Sequence, residues 1–443
     1  MRTSITLHAA ATVTALLVFS VIFHGQDDAS AAGPPPVEWA RAYGGTGQDQ
    51  ITAAVATPDG GIVGAGASSS ADGSVRYNRG KLDGWVIKLA PSGDIEWTSS
   101  IGGSGDDEIH AIALTSDGGY VVSGHSNSAD GDFAGLSFHS GGSGFIARLD
   151  SLGRPLWTGS YFNHAAWSIM SVLEMEGGGF VFAGATHPRF HEESSCGDGG
   201  PGKSTLWLAR TSARGELVQS RCFTLPGDVV DYSLHLYPDG GAAVTYCVDI
   251  DEGDMETGVV VSRIPADAPT AWFYVLPGKA SKAVRHITPV PGGGYLISGN
   301  TLRRYNPRQT ARNEYPWLFK LSESGKLQWQ VELNKGDGGR ISSVVPAGSG
   351  FFAVGHSVNQ KIPAKDGIPA FFDFMAMGFN SFGRQLWRRD IEGAGWDSAR
   401  AAVAGAGGGL YAAGSTGSVD NNYAWHADGD PLGFYGMVMK ITN

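Results

Sequence analysis

A cluster of basic side chains between residues 279 and 312 is the clearest candidate for binding chemistry in this sequence. Arginine suits carboxylate and phosphate groups, because its planar guanidinium donates two parallel hydrogen bonds. The candidate ligand-binding residues are Lys282, Arg285, His286, Arg303, Arg304 and Arg308. The alternative is that these charges pair with the acidic stretch 249–256.

Signatures of catalysis are missing from the sequence. There is no GxSxG elbow, no HExxH pair and no phosphate-binding P-loop. The histidines are scattered, and His110, His164 and His286 are interpreted as packing or surface residues. No catalytic residue and no cofactor are therefore predicted, and the sequence favours a protein that is not an enzyme.

Metal ligation is not predicted either. The oxygen donors of 128–132 and 249–256 suggest calcium as an alternative, but neither stretch has the DxDxDG spacing with a closing glutamate. The three cysteines contain no CxxC pair, which argues against zinc. We predict a disulfide between Cys196 and Cys222 and a buried thiol at Cys247.

The first 36 residues predict export. Arg2 precedes an apolar run at 9–23 and the small-residue sequence ASA at 29–31, which together are typical of a cleaved signal peptide over 1–31. The apolar run is shorter than the ~20 residues of a spanning helix, although a retained anchor is the alternative. Residues 32–36 predict a proline-rich spacer. A secreted, periplasmic or cell-surface location follows.

Composition limits the partners and the fold class. The net charge of −11 disfavours binding to nucleic acid or to anionic membranes, because the cations that neutralise phosphate are lacking. Glycine accounts for 66 of the 443 residues, well above the usual share of ~7 per cent. With 42% hydrophobic residues, this glycine content indicates many turns between short strands rather than disorder.

One glycine-rich decamer recurs seven times, beginning with TPDGGIVGAG. Its copies lie at 57–66, 115–124, 175–184, 237–246, 290–299, 346–355 and 405–414. A tryptophan keeps the same interval at six of seven places: Trp39, Trp97, Trp157, Trp272, Trp329 and Trp387. Each repeat contains four strand-like segments, and the DGG turn supplies the positive φ of a tight hairpin.

Seven four-stranded repeats predict an all-β fold, a seven-bladed β-propeller over 37–443 with antiparallel strands in each blade. The chain begins with a lone tryptophan strand at 37–43 and ends with a third strand at 436–442. Pairing the two strands would complete the seventh blade and remove two exposed edges. Loops between the second and third strands are long and unlike one another, so binding is expected on their face of the ring.

Two charged positions follow the repeat and are interpreted as structural. Asp49, Asp107 and Asp397, with Asp228 one place out of register, precede the innermost strand and can accept backbone N–H groups of the glycine turn. A ligand at the channel mouth is the alternative for these carboxylates.

The third strand carries Lys88, Arg148, Arg210, Arg263, Lys320 and Lys440. Their stems are expected to cover apolar surface with the charged heads in water, a polyanion-binding ring being the alternative.

The repeats YGGTGQDQITAAVATPDGG (43–61) and IGGSGDDEIHAIALTSDGG (101–119) resemble those of bacterial secreted β-propellers of the delta-sixty and SBBP types. The likeness to quinoprotein-like and kelch propellers is more distant. The resemblance covers nearly all of 37–443 and implies export and the propeller fold. It implies no particular chemistry, because these motifs specify a blade.

These observations predict a monomeric binding module that acts through its long-loop face. The expected partner is a glycan, a surface polymer or an envelope protein. The alternative is a hydrolase or lyase that acts on a polysaccharide at the channel mouth, and a purely structural surface protein is a third possibility. A propeller hosts many unrelated functions, so the fold does not choose among them.

Overall fold

A computed structural model describes residues 33–442 with several gaps. The gaps are 138–141, 162–167, 187–204, 225–228, 250–256, 268–271, 277–280, 303–313, 334–337, 359–371, 394, 406–407 and 419–433. The predicted signal peptide lies outside the described residues, as do Cys196, Asp228, Arg303, Arg304 and Arg308. Among the described residues, no helix has the length and apolar character needed to cross a membrane.

The described chain consists of β-strands and one 3-10 turn at Gly131–Phe133. The strands are β1 Val37–Tyr43, β2 Asp49–Ala56, β3 Ile62–Ser68, β4 Asp83–Leu89, β5 Ile95–Ile101, β6 Asp107–Leu114, β7 Tyr120–Ser126, β8 Ser143–Leu149, β9 Pro155–Ser160, β10 Ser168–Glu174, β11 Phe180–Thr186, β12 Thr205–Thr211, β13 Leu217–Thr224, β14 Val229–Leu236, β15 Ala242–Asp249, β16 Thr257–Ile264, β17 Trp272–Leu276, β18 Ser281–Pro289, β19 Tyr295–Leu302, β20 Glu314–Leu321, β21 Leu327–Glu332, β22 Gly339–Ala347, β23 Gly350–Val358, β24 Phe372–Asn380, β25 Gln385–Ile391, β26 Asp397–Ala404, β27 Leu410–Thr416 and β28 Tyr435–Ile441.

The strands form seven antiparallel four-stranded sheets, and the molecule is a seven-bladed β-propeller. Blades 1 to 6 are consecutive meanders, from β2–β5 to β22–β25, whereas blade 7 has the order β26, β27, β28, β1. In blade 7, Ala40 pairs with Met439 and Tyr43 with Gly436. The predicted closure of the ring by the first and last strands is therefore confirmed.

The first strand of each blade lies innermost. These seven strands contact one another in a closed circuit, in which β26 of blade 7 touches β2 of blade 1. Seven apolar clusters fill the joints between neighbouring blades. At the closing joint, Tyr43, Tyr411 and Val438 of blade 7 pack with Ile51 and Trp85 of blade 1. The core is thus a ring of interblade layers, because both faces of every sheet must be buried.

Glycine hairpins make one face of the ring uniform. In blade 1, the Gly60 N–H donates to the Thr57 carbonyl at 3.0 Å, and Gly60 has a φ of +85°. The turns after the first and third strands share this face, which we call the short-turn face. The starts of the innermost strands and the connections between second and third strands lie on the opposite face, which we call the long-loop face.

The basic residue of the third strand is buried in blades 1 and 2, at Lys88 and Arg148, which corrects for these two residues the prediction that the charged head lies in water. The Lys88 ammonium donates to Asp59 Oδ2 at 2.8 Å and to the Leu89 carbonyl at 3.2 Å. Two further blades repeat this pairing, Arg148 with Asp117 and Arg263 with Asp239. The DGG aspartate lies beside the third strand, and a buried cation needs such a counter-ion. These three charges are paired within their own blades, which argues against their forming part of a polyanion-binding ring.

The repeated tryptophan joins adjacent blades by packing on a glycine. A Cβ atom on Gly93 would lie 3.0 Å from the Trp39 ring, and one on Gly153 would lie 2.3 Å from the Trp97 ring. Both glycines are in the turn between the third and fourth strands of the following blade, with φ values of +84° and +75°. Only glycine meets both demands, the positive φ and the close approach of the indole.

Replacing Gly153 by Ala is expected to destabilise the propeller more than replacing Gly118 by Ala. Both glycines have positive φ, but a Cβ on Gly118 meets no atom within 4 Å, whereas one on Gly153 strikes Trp97. The strain common to both changes is about 1 kcal/mol, and overpacking adds roughly 1–3 kcal/mol at Gly153 alone. Equal losses in urea unfolding experiments would contradict this account of the tryptophan.

Candidate functional site

The aspartates that precede the innermost strands hold the long-loop ends of the blades together. Asp49 Oδ2 accepts the Gly45 N–H at 2.8 Å and the Ser70 hydroxyl at 2.9 Å, and Oδ1 accepts from Ser68. Asp107 repeats this arrangement with Gly103, Ser128 and Ser126. The predicted structural role of these two carboxylates, as acceptors for the glycine turn, is confirmed.

Asp397 is the corresponding residue of blade 7. Its carboxylate accepts the Thr416 hydroxyl at 2.5 Å and the Ser418 hydroxyl at 2.7 Å, and the residue is fully buried. Burial raises the pKa of Asp397 to about 6, and the nearby charge of Asp373 adds to this rise. The hydrogen bonds from Thr416 and Ser418 act in the opposite direction, because they stabilise the charged carboxylate. The three described aspartates therefore have a structural role, because each accepts hydrogen bonds from loop residues at the long-loop end of its own blade.

Of the predicted binding residues in blade 5, the described three lie on β18 and contact protein groups. Lys282 is buried, with its ammonium 3.5 Å from Glu332 Oε1 and 5.5 Å from the centre of the Trp317 ring. Arg285 Nε donates to Asn300 Oδ1 at 3.2 Å. The prediction that these residues form an anion site with Arg303, Arg304 and Arg308 stays a prediction, because those arginines lie outside the described residues.

His286 is packed inside the protein. Its Nδ1 accepts the Val344 N–H at 3.3 Å. Burial lowers the pKa of His286 to about 4, which leaves the imidazole neutral near pH 7. His286 therefore brings no positive charge to blade 5 at neutral pH, and its contact fits the alternative of a packing residue.

A cavity of about 480 Å³ opens at the channel mouth on the long-loop face, between blades 6, 7, 1 and 2. Innermost strands supply one part of its wall, and the ends of second strands and starts of third strands supply the rest. The lining residues are Gln48, Asp49, Gln50, Leu82, Glu108, Arg340, His356, Phe372, Trp396, Asp397, Ser398, Arg400, Ser415 and Phe434. Its volume lies within the range of small-molecule sites.

One wall of the cavity is aromatic. The Phe372 ring lies 4.2 Å from the His356 imidazole, centre to centre, and 5.7 Å edge-to-face from the Trp396 ring. His356 is further held by Ser398, whose hydroxyl lies 3.3 Å from Nδ1. All four residues line the cavity. Aromatic rings fixed in this way provide a rigid apolar surface inside a polar rim.

Charged side chains line the same cavity, and Arg340 pairs with His356 on the neighbouring strand of blade 6. Arg340 of blade 6, Arg400 of blade 7 and Glu108 of blade 2 all line the cavity. Partial desolvation lowers the pKa of Arg400 although the residue is exposed, the carboxylate of Glu108 opposes this lowering, and the positive charge of Arg285 adds to it. Arg400 is therefore within electrostatic reach of Glu108 in blade 2 and of Arg285 in blade 5.

A β-bulge explains why Arg400 faces the channel. The register of β26 shifts between Ala399 and Ala401, so that Arg400 is an extra residue opposite the second strand. Ala399 is fully buried in the interblade core, while Arg400 is exposed. The same position is an extra residue in other innermost strands: Thr52, His110, Met170, Arg285 and Ser342. Bulges redirect side chains in this way beside functional sites.

His110, a bulge residue, connects a hydroxyl to a carboxylate near the cavity. Its Nδ1 lies 2.7 Å from Ser168 Oγ, and its Nε2 lies 3.6 Å from Glu108 Oε2, slightly beyond hydrogen-bond distance. The neighbouring imidazole, with a smaller effect of Arg400, lowers the pKa of Glu108. Ser168 is only 8% exposed, and of these three residues Glu108 is the one that lines the cavity.

The sequence did not identify Arg340, Arg400 or Trp396 as candidates. Arg400 would have been found by aligning the repeats on the innermost strand and asking which residue follows the buried apolar position. Trp396 is outside the repeated tryptophan series and carries no comparable signal. His110 was interpreted as a packing or surface residue, whereas it contacts two polar groups beside the channel.

The remaining predictions about metals and cysteines have mixed outcomes. In the described part of the chain, no three His, Cys, Asp or Glu residues are grouped as metal ligands. Asp130 and Asp132, within the 128–132 stretch, accept backbone N–H groups of Ser104 and Gly102. Cys247 is a buried thiol. The Cys196–Cys222 disulfide stays a prediction, because Cys196 lies outside the described residues.

No protein-family model and no curated protein sequence matches this chain. Solved structures resemble it at low identity. The WD40 domain of Neurospora crassa Pan2 is 9% identical, with a TM-score of 0.46 over 90% of this chain and 98% of that chain. BBS1N, in complex with ARL6DN, is 8% identical, with a TM-score of 0.46 over 93% and 97% of the two chains.

A puromycin hydrolase is 12% identical, with a TM-score of 0.47, and the match covers 87% of this chain. This chain spans about half of the length of the hydrolase (54%). These likenesses concern architecture. They give no argument about what this chain binds or catalyses, and the functional argument rests on the cavity itself.

Replacing Asp397 by Asn is expected to remove part of the pH dependence of stability between about pH 4 and pH 6. The folded-state pKa of about 6 exceeds the ordinary value of 3.8, so the folded state holds this proton more tightly than the unfolded state. The free energy of unfolding of the wild type should fall as pH rises through this window, by roughly 2–3 kcal/mol from this group. Urea unfolding at several pH values measures the slope.

Asp59→Asn is the matched control for this slope. The pKa of Asp59 is about 2 because Lys88, Thr57 and the Gly61 N–H outweigh the effect of burial. Its contribution to stability is complete above its ordinary pKa and is lost only as pH falls toward 2. The Asp59→Asn variant should therefore differ from the wild type by a constant amount from pH 4 to pH 6. If the free energy of unfolding of Asp397→Asn falls with pH as steeply as that of the wild type, the raised pKa of Asp397 would be refuted.

Proposed function

We propose that this protein is an exported binding protein that holds a saccharide at the channel mouth on its long-loop face. The observation that carries the proposal is the cavity of about 480 Å³, which is lined by aromatic, polar and charged side chains. Export rests on the signal-peptide pattern of residues 1–31 and the secreted-propeller resemblance. A glycan is preferred over an envelope protein because the site is a recess of small-molecule size rather than a broad flat patch.

The chemistry of the lining supports a sugar ring as the ligand. Saccharides present apolar C–H faces and a rim of hydroxyl groups, so they need an aromatic surface together with fixed donors and acceptors. Phe372 and Trp396 supply the surface. Gln48, Gln50 and Ser415 supply amide and hydroxyl groups around it, each able to donate and to accept.

Replacing Trp396 by Ala is expected to weaken saccharide binding at least tenfold, because the aromatic wall loses its largest ring. Binding would be measured on a glycan array with the purified protein and confirmed by calorimetry on the best ligand. Phe382→Ala is the matched control, since this exposed aromatic residue lies in a turn on the short-turn face. Saccharide binding that survives in Trp396→Ala, or that is lost equally in Phe382→Ala, would overturn the proposal.

A polysaccharide hydrolase or lyase is the second candidate, and the position of His110 favours it. An imidazole between a hydroxyl and a carboxylate that lines the cavity can take up or deliver a proton. In this reading His110 is the acid–base group, and Ser168 fixes the orientation of its ring. Ser168 is poorly placed as a nucleophile, because it is buried.

The two candidates are separated by His110→Ala. An enzyme should release reducing ends or unsaturated products from its polysaccharide, and this variant should lower the turnover by about 100-fold or more while the ligand still binds. A binding protein should release no product in either form. Turnover that is unchanged by His110→Ala would exclude His110 as the acid–base group.

A further inference from the structure

The guanidinium of Arg400 distinguishes the cavity from the other charged sites of this protein. Arg148 and Arg263 are bonded to carbonyls and aspartates of their own blades. Arg400, in contrast, makes no hydrogen bond and no ion pair with any part of the chain that the structure describes. It is exposed to the channel and lines the cavity. Its donors are therefore available to a ligand.

The nearby carboxylates do not neutralise this arginine. Glu108 lies close enough to affect its pKa but is not within ion-pair distance, and Glu108 also interacts with His110. Asp49 and Asp397 line the same cavity, yet both are buried and hydrogen-bonded to hydroxyl groups of their own blades. Arg340 adds a second guanidinium to the lining. An anionic group bound to Arg400 would gain charge-assisted hydrogen bonds that none of the described residues makes with this guanidinium.

We propose that the cavity recognises an acidic saccharide, with the sugar ring on Phe372 and Trp396 and its monoanionic group on Arg400 and Arg340. This inference rests on the proposed function and specifies the ligand class of the same site. The anionic group is a carboxylate, as in a uronic acid, or a sulfate ester. Both present two oxygen atoms to the fork of a guanidinium.

The site also accounts for anion recognition by an acidic protein. A net charge of −11 repels polyanions in general, so binding must come from local donors rather than from the overall field. A recessed pair of arginines would admit one acidic residue of a glycan while the remaining surface contributes little. Such binding should depend only weakly on salt compared with a protein that neutralises many charges.

The test compares matched saccharides on the wild type and on Arg400→Gln. The probes are uronic-acid oligosaccharides and their methyl esters, sulfated oligosaccharides and their desulfated forms, and neutral oligosaccharides. The wild type should bind an acidic form at least tenfold more tightly than its neutralised partner. Arg400→Gln should remove this preference, so that the acidic form binds no more tightly than its neutralised partner. The carboxylate and sulfate arms identify the anionic group.

Two further variants control for charge and for folding. Arg400→Lys keeps the charge but loses the bidentate fork, so it should recover only part of the preference. Arg154→Gln removes an exposed arginine of the short-turn face and should change nothing. Since Arg400 bonds to none of the described residues, its replacement should leave the urea midpoint of unfolding unchanged.

The outcomes separate this inference from the proposed function. Equal affinity for acidic and neutralised forms, or an acidic preference that persists in Arg400→Gln, overturns the acidic-ligand inference. If Trp396→Ala still abolishes binding in that case, the saccharide-binding function stands. Absence of binding to every probe, acidic and neutral, overturns both.

Discussion

The pairing of β1 with β28 is the constraint on which the remaining structure depends. It joins the two ends of the described chain in one antiparallel ladder, from Val37 with Ile441 to Tyr43 with Gly436. The same strand also contacts blade 1, because the Tyr43 hydroxyl donates to the Gly93 carbonyl at 2.6 Å and Arg41 pairs with Asp94. The strand β1 therefore completes the sheet of blade 7 and also attaches blade 7 to blade 1, which closes the ring.

Closure matters for the site because the cavity is assembled from blades that are distant in sequence. Glu108 and Arg400 are separated by nearly the whole ring when counted along the chain, yet both line the cavity beside the closing joint. Asp49, near the start of the ring, accepts hydroxyl groups of blade 1, while its own N–H donates to the Phe434 carbonyl of blade 7 at 2.7 Å. The joint between blades 7 and 1 that closes the ring therefore also forms part of the cavity lining.

Residues that recur in the blades have structural roles in this fold, whereas residues that differ between blades line the candidate site. The DGG aspartate, the buried third-strand cation and the tryptophan on a glycine recur from blade to blade, and each satisfies a local demand of the sheet or of the joint. Residues at the bulge position of the innermost strand vary freely: a threonine in blade 1, a histidine in blade 2 and an arginine in blade 7. The bulge changes the direction of the side chain at this position, and in blade 7 it places Arg400 in the lining of the cavity.

The sequence alone determined the architecture, because a repeat of seven glycine hairpins with unpaired terminal strands leaves few ways to satisfy every strand edge. It also predicted that Asp49 and Asp107 accept the amides of the preceding turn, since that contact is local. It could not predict that Lys88 is buried and paired with Asp59, because that contact joins the third strand to the turn between the first two strands of the blade. Nor could it locate the cavity: Arg340, Trp396, Arg400 and Glu108 meet only after the ring has closed, and their proximity depends on blade order in space. Local contacts were available to sequence reasoning, whereas the candidate site, built across the closing joint, was decided by the tertiary structure.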